Sequence, residues 1–274
     1  MWRVTWRLLR VFGVTLAHSL HLLATIGRRP TAERNRYRAH KQQAGCRAIC
    51  RILGIEVRVE GQAPDRRGML AVCNHLGLLD TVVLASVLPV AFVSKAEVRN
   101  WPFVGWVTRL VGALYVDRER PMQAGELVDH IRDRLADGVS VLVFPEGTTS
   151  DGRGVRPFKT GAFAAIASQP DTFVLPLCLR GEAVDEATAP DEVRRVLTWS
   201  PGTTMSAHAR QLLRCTRIVI TLAVGTPIAA EGADRKTLAR LSQEAVEVLA
   251  GWKRSTGGQP DEFGTQAAPA GGAG

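Results

Sequence analysis

The 274-residue chain lacks a cysteine framework. Its five cysteines, Cys46, Cys50, Cys73, Cys178 and Cys215, lie in apolar surroundings without zinc or redox spacing, so neither a metal site nor a disulfide-stapled fold is expected. Scattered thiols in odd number read as reduced, buried residues of a cytosolic setting. Nucleic-acid signatures are missing too. There is no zinc-finger spacing, RNA-binding aromatic motif or helix-turn-helix pattern, and no nucleic-acid partner is expected. Acids are nearly absent from the first fifth of the chain, where ten arginines and Lys41 between Arg3 and Arg51 face Glu33 alone. This asymmetry carries most of the net charge of +9 and implies an anionic partner surface.

Membrane lipid fits that charge. Trp2, Trp6 and Leu9 share one helical face and Arg3, Arg7 and Arg10 another, an interfacial pattern. From Val11 to Gly27 the chain is uncharged. Crossing hydrocarbon takes about 20 apolar residues, so this run either enters one leaflet or makes a single crossing. A secretory leader shares the basic start and apolar run, but His18 and His21 and the want of a small-residue cleavage pattern near Ala24 favour retention. A turn over 28–35, with Thr31 as cap, leads to a second helix from about Glu33 to Leu53 bearing Arg34, Arg36, Arg38 and Lys41. Residues 1–53 therefore read as a membrane-docking helical hairpin, placed on the cytoplasmic face of the inner membrane.

The globular part, 54–254, alternates strands with helices and predicts an α/β fold with a mainly parallel central sheet flanked by helices. Strands are expected over 55–59, 69–73, 91–95, 113–117, 139–144 and 217–224. Helices are expected over 77–88, from Pro102 onward, 122–137 and 233–253. Residues 182–200 give little signal, and His208, in a short helix after Pro201, reads as structural or exposed. Rich in Gly, Pro, Ala and polar residues, 255–274 cannot build a core and is expected to be disordered.

Two stretches stand at the carboxyl edge of the expected sheet, where ligands of α/β folds bind. In Asn74-His75-Leu76-Gly77-Leu78-Leu79-Asp80 an apolar strand ends in a histidine, with a carboxylate five residues on. Folded back onto the imidazole, Asp80 would set its tautomer and free the other nitrogen to take a proton from a hydroxyl. The plain alternative is a buried histidine bonded to a backbone carbonyl. The second stretch, Phe144-Pro145-Glu146-Gly147-Thr148-Thr149-Ser150-Asp151-Gly152, follows the most continuously apolar strand.

Four ordered blocks resemble the glycerolipid acyltransferase family, best known for 1-acylglycerol-3-phosphate O-acyltransferases. They are Asn74-His75 with Asp80; Lys95, Glu97, Pro102 and Gly105 running into Gly112 and Val116-Asp117-Arg118; Phe144 to Thr148; and Val174-Leu175-Pro176-Leu177. The resemblance implies an O-acyltransferase that needs no cofactor or metal and moves a fatty acyl group from acyl-CoA or acyl carrier protein to a lysophospholipid, converting 1-acyl-sn-glycerol-3-phosphate to phosphatidic acid. His75 and Asp80 would be catalytic, and Asn74, Lys95, Arg118, Glu146, Gly147, Thr148 and Thr149 would line the acceptor site, with Pro176 shaping the pocket. Arg118 could instead pair with Asp117 or Glu119. Acyl chain length would follow the depth of an apolar groove between the helices after 77 and 102.

One position departs from the family. Arginine is usual where this chain has Thr149, so a bidentate phosphate clamp is missing. Either Arg118, Lys95 and Arg153 hold a phosphate without it, or the acceptor carries another head group, as in members that acylate lyso-ornithine or related amino-acid lipids. A non-catalytic lipid-binding protein is the alternative of another class. Deleting residues 1–30 is expected to move the protein from the membrane pellet to the soluble fraction, as read by sedimentation with anionic vesicles.

Overall fold

The computed structural model describes residues 2–117, 124–199 and 202–253. The charge-poor amino-terminal run forms α1 (Trp2–Ile26), and the basic segment forms α2 (Arg34–Leu53). Gly54 ends α2 at φ 69°, where a Cβ would sit 2.2 Å from the Thr216 carbonyl oxygen. Only glycine combines that left-handed turn with that approach.

Strands β1 (Ile55–Glu60), β2 (Leu70–Cys73), β3 (Val90–Lys95), β4 (Leu114–Val116), β5 (Ser140–Val143), β6 (Phe173–Val184), β7 (Ile218–Val224) and β8 (Ile228–Ala229) make one sheet. Their order is β1-β7-β6-β2-β5-β3-β4, with β8 beside β6. The expected mainly parallel α/β fold is what forms: β6, β2, β5, β3 and β4 run parallel, and β7 and β8 pair antiparallel to β6. Helices cover both faces: α2, α3 (Leu79–Val87), α6 (Pro190–Leu197) and α7 (Met205–Arg214) on one, and α5 (Ala124–Ala136) and α8 (Arg235–Leu249) on the other. The period-two pleat of β2 shows in its contacts, Ala71 and Cys73 entering the first core and Leu70 and Val72 the second. All four are fully buried, as a doubly covered strand requires.

Beyond the last paired residue of β2, Cys73 opposite Leu177, a side chain continues the ladder. Asn74 Nδ2 donates to the Leu179 carbonyl at 3.0 Å, and Asn74 Oδ1 accepts from the Leu179 amide at 2.8 Å. The chain thereby leaves β2 in a fixed direction just before His75.

The two amino-terminal helices pack together, with the His18 ring 3.6 Å from where a Cβ on Gly45 would lie. α2 is also bound to the sheet domain. Gln43 and Arg47 donate to the carbonyls of Val87 and Ser86 at the end of α3, and Gln42 donates to that of Val90. α1 leaves Trp2 79%, Trp6 49% and Leu9 60% exposed, an apolar stripe that the protein itself does not cover. Arg7, read from spacing as part of the basic face of an interfacial helix, turns inward and donates to the carbonyls of Leu213, Cys215 and Thr216 at the carboxyl end of α7. A cation is well placed there, where helix carbonyls are unpaired.

Other differences have local causes. The weak-signal region 182–200 holds the end of β6 and all of α6, whose Pro190 start, acidic first turn and basic last turn match the helix dipole. The helix expected from Pro102 is α4 (Val104–Leu110), delayed because Phe103 adopts φ 58°. Of the two readings of His208, structural or exposed, its burial fits the first. The tail expected to be disordered lies outside the described residues. All five cysteines are free, and burial pushes the thiols of Cys46 and Cys178 up to about 12.

Replacing Asn74 with Ala would strand both the amide and the carbonyl of Leu179. We expect a loss of about 2–6 kcal/mol in unfolding free energy, from roughly 1–3 for each buried orphan, measured by urea denaturation.

Candidate active site

The turn between β2 and α3 holds the histidine and the carboxylate expected to be catalytic. His75 leaves the sheet edge, and Asp80, in the first turn of α3, folds back under it. Asp80 Oδ2 accepts from His75 Nδ1 at 2.6 Å, from the Leu76 amide at 2.6 Å and from the Gly77 amide at 2.9 Å. Asp80 is buried while the His75 side chain is partly open. With Nδ1 engaged, Nε2 is the nitrogen left for a substrate proton. The ring is further held by Phe144, stacked on it at a 4.1 Å centroid distance.

The loop after β5 fixes the histidine's backbone. Glu146, 3% exposed, accepts from the His75 amide at 2.8 Å through one oxygen and from the Arg156 amide at 3.0 Å through the other. Burial pushes its carboxyl above the ordinary value, while those amides pull the other way. The Ser150 amide donates to the His75 carbonyl at 2.7 Å, completing the frame. Thus Asn74 and Glu146, expected at the acceptor site, are committed behind it.

In front lies a cavity of about 1660 Å³. It is larger than the roughly 300–1000 Å³ of an ordinary small-molecule pocket, so it has room for a long chain besides a head group. Leu78 just before α3, Val82 of α3, Phe92 of β3 and Val107 of α4 give it an apolar wall, between the helices expected to flank a groove. Of the residues expected at an acceptor site, Lys95, Gly147, Thr148 and Thr149 line this cavity.

Two expected positions fall elsewhere, and a third is not described. Arg118 lies outside the described residues. Pro176 is not on the cavity wall, because the Gly225 amide donates to its carbonyl at 2.9 Å and β6 carries it behind the site. Arg153, considered for a phosphate, pairs with Asp191 of α6 at 3.0 Å and opens on a separate, smaller pocket of about 600 Å³. Two cations missed in the sequence, Arg156 and Lys159, are on the main wall instead. Their signal was faint, a spaced basic pair around Pro157. What brings them in is the return of the loop, with the Lys159 amide donating to the Pro145 carbonyl at 2.9 Å. No salt bridge occupies Lys95, Arg156 or Lys159 among the described residues.

The family description "Acyltransferase" matches residues 54–180. Over 210 residues the chain is 34% identical to a lyso-ornithine lipid O-acyltransferase of Rhizobium meliloti, covering 74% of this chain and 72% of that protein. The chain belongs to the acyltransferase family. A second acyltransferase similar to it, the lyso-ornithine lipid O-acyltransferase of Pseudomonas aeruginosa, is 35% identical over 202 residues, covering 73% of this chain and 74% of its own. The acyltransferase fold recurs in the crystal structure of the 1-acyl-sn-glycerophosphate acyltransferase of Thermotoga maritima. That likeness has a TM-score of 0.60 at 20% identity and covers 92% of this chain and 100% of that one.

In this acyltransferase the Glu146 frame can be tested directly. A Glu146→Gln side chain can accept from only one of the two amides and turns an NH₂ toward the other. We expect a loss of about 1–3 kcal/mol of stability by chemical denaturation, together with lower turnover because the His75 backbone is no longer pinned.

Proposed function

We propose that the protein transfers a fatty acyl group from a thioester, acyl-CoA or acyl carrier protein, to the hydroxyl of a lyso-lipid whose head group is an amino acid, of the lyso-ornithine class. His75 Nε2 takes the hydroxyl proton as the oxygen attacks the thioester carbonyl. The tetrahedral intermediate then collapses, the C–S bond breaks, and the departing thiolate receives the proton from the imidazolium. Asp80 holds the tautomer and the charge. General-base action of this kind contributes roughly 100- to 10,000-fold, and alignment in the cavity supplies more. No covalent enzyme intermediate is needed, since the pair acts on the acceptor itself.

The observation that carries the choice of acceptor is Thr149. Its hydroxyl donates to the Trp199 carbonyl at 3.2 Å, so the position that would hold a phosphate-clamping arginine presents a short side chain already bonded to the backbone. Lys95, Arg156 and Lys159 suit a carboxylate, and Glu97, also on the cavity wall, suits the ammonium of a zwitterionic head group. The relatives named for lyso-ornithine lipid support the same reading. The same cations favour lysophosphatidate as the second reading, with phosphatidic acid as product.

Residues 1–53 serve as the membrane-docking part in this proposal and 54–254 as the acyltransferase domain. The uncovered stripe on α1, with Trp2 and Trp6 stacked at 5.9 Å, would lie in the interface of the inner membrane's cytoplasmic leaflet. α1 is long and apolar enough for one crossing by length and composition alone.

Purified protein supplied with one labelled thioester should turn over lyso-ornithine lipid at least tenfold faster than lysophosphatidate. The reverse preference would refute the head-group assignment. His75→Ala should lower turnover roughly 100-fold or more with vesicle binding unchanged, and a variant of wild-type activity would remove the base.

A further inference from the structure

We propose that His208 is a positioning residue for the reaction: stacked on Trp199, its ring forms a wedge behind Leu76 and Gly77 that holds their amides on the Asp80 carboxylate. The inference rests on His75 being the base. His208 lies on α7, is 1% exposed, and stacks on Trp199 at 6.2 Å with the planes 9° apart. Its Nε2 is buried without a hydrogen-bond partner and meets the turn at Gly77, where an added Cβ would lie 2.9 Å from it and 2.6 Å from the Leu197 carbonyl. Nothing larger than glycine fits between the wedge and the turn.

Trp199 ties the wedge to both halves of the site. Its amide donates to the Leu76 carbonyl at 2.9 Å, and its carbonyl accepts from Thr149 at 3.2 Å. The ring partner, in turn, sits on an anchored helix. Thr204 caps the start of α7 through the Ala207 amide, and Arg7 of α1 holds its last carbonyls. Burial keeps the His208 imidazole from its charged form, opposed by the nearby Asp80 carboxylate. The place of Nε2 against the turn that feeds two amides to Asp80 gives the ring a task in geometry.

A wedge of this kind sets how often the base is in its reactive pose, so it should act on kcat and leave acceptor binding alone. The test uses the full chain in vesicles, after wild type is shown to be active and His75→Ala inactive. His208→Ala should lower kcat at least tenfold with the acceptor KM within twofold, and His208→Phe, which keeps a ring on Trp199, should recover kcat to within threefold of wild type. If the Ala protein does not fold, His208→Leu, which fills the space without stacking, should lose at least threefold in kcat. A folded Ala or Leu variant with wild-type kcat, a loss confined to KM, or a Phe variant no better than Ala would overturn the wedge. Activity surviving in His75→Ala would instead overturn the base on which it rests.

Discussion

One carboxylate oxygen organises the turn between β2 and α3. Asp80 Oδ2 receives the imidazole N–H of His75 and the amides of Leu76 and Gly77, so the same atom that orients the ring also folds the chain beneath it. Hydrogen bonds to an ionised, buried acceptor are stronger than neutral ones, and a charge at 3% exposure needs that many donors to be tolerated. The carboxylate also sits in the first turn of α3, where the helix's free amides favour an anion. Shape and chemistry at this turn are therefore not separable.

Around that atom, the sheet supplies a rigid edge and the loops supply contact. Parallel β2, β5 and β6 lie side by side, so the residues that follow β2 and β5 emerge together. Glu146 and Ser150 then lock the two emergent loops to each other through the His75 backbone, and Asn74 ties the first of them to β6. Polar side chains in this region thus divide into those that hold the scaffold and those left facing the cavity. Lys95, Thr148, Arg156 and Lys159 belong to the second group.

Local regularities made much of this legible. Strand alternation, helix periodicity and the five-residue step from His75 to Asp80 are short-range signals, and each corresponds to an element or a contact that forms. What escaped were long-range facts. Glu146 looks like an acceptor residue until its two oxygens are seen on amides from different segments, one of them far away in sequence. Arg156 and Lys159 reach the cavity only because their loop closes on Pro145. Arg7 reads as a surface charge because the chain end it binds comes more than two hundred residues later. α6 was hidden because its few apolar positions make too short a stripe to stand out from the charges between them.

The thiols carry a practical corollary. Each of the five cysteines is unpaired, and desolvation disfavours every one of their thiolates. Because the thiolate is the reactive form, alkylating and disulfide dyes are disfavoured at these thiols, of which Cys46 alone is half-buried and lines the main cavity. The sulfhydryl released from a coenzyme donor would be fully solvated by contrast, so a colorimetric reagent would meet it ahead of the protein's own thiols and could follow each turnover continuously.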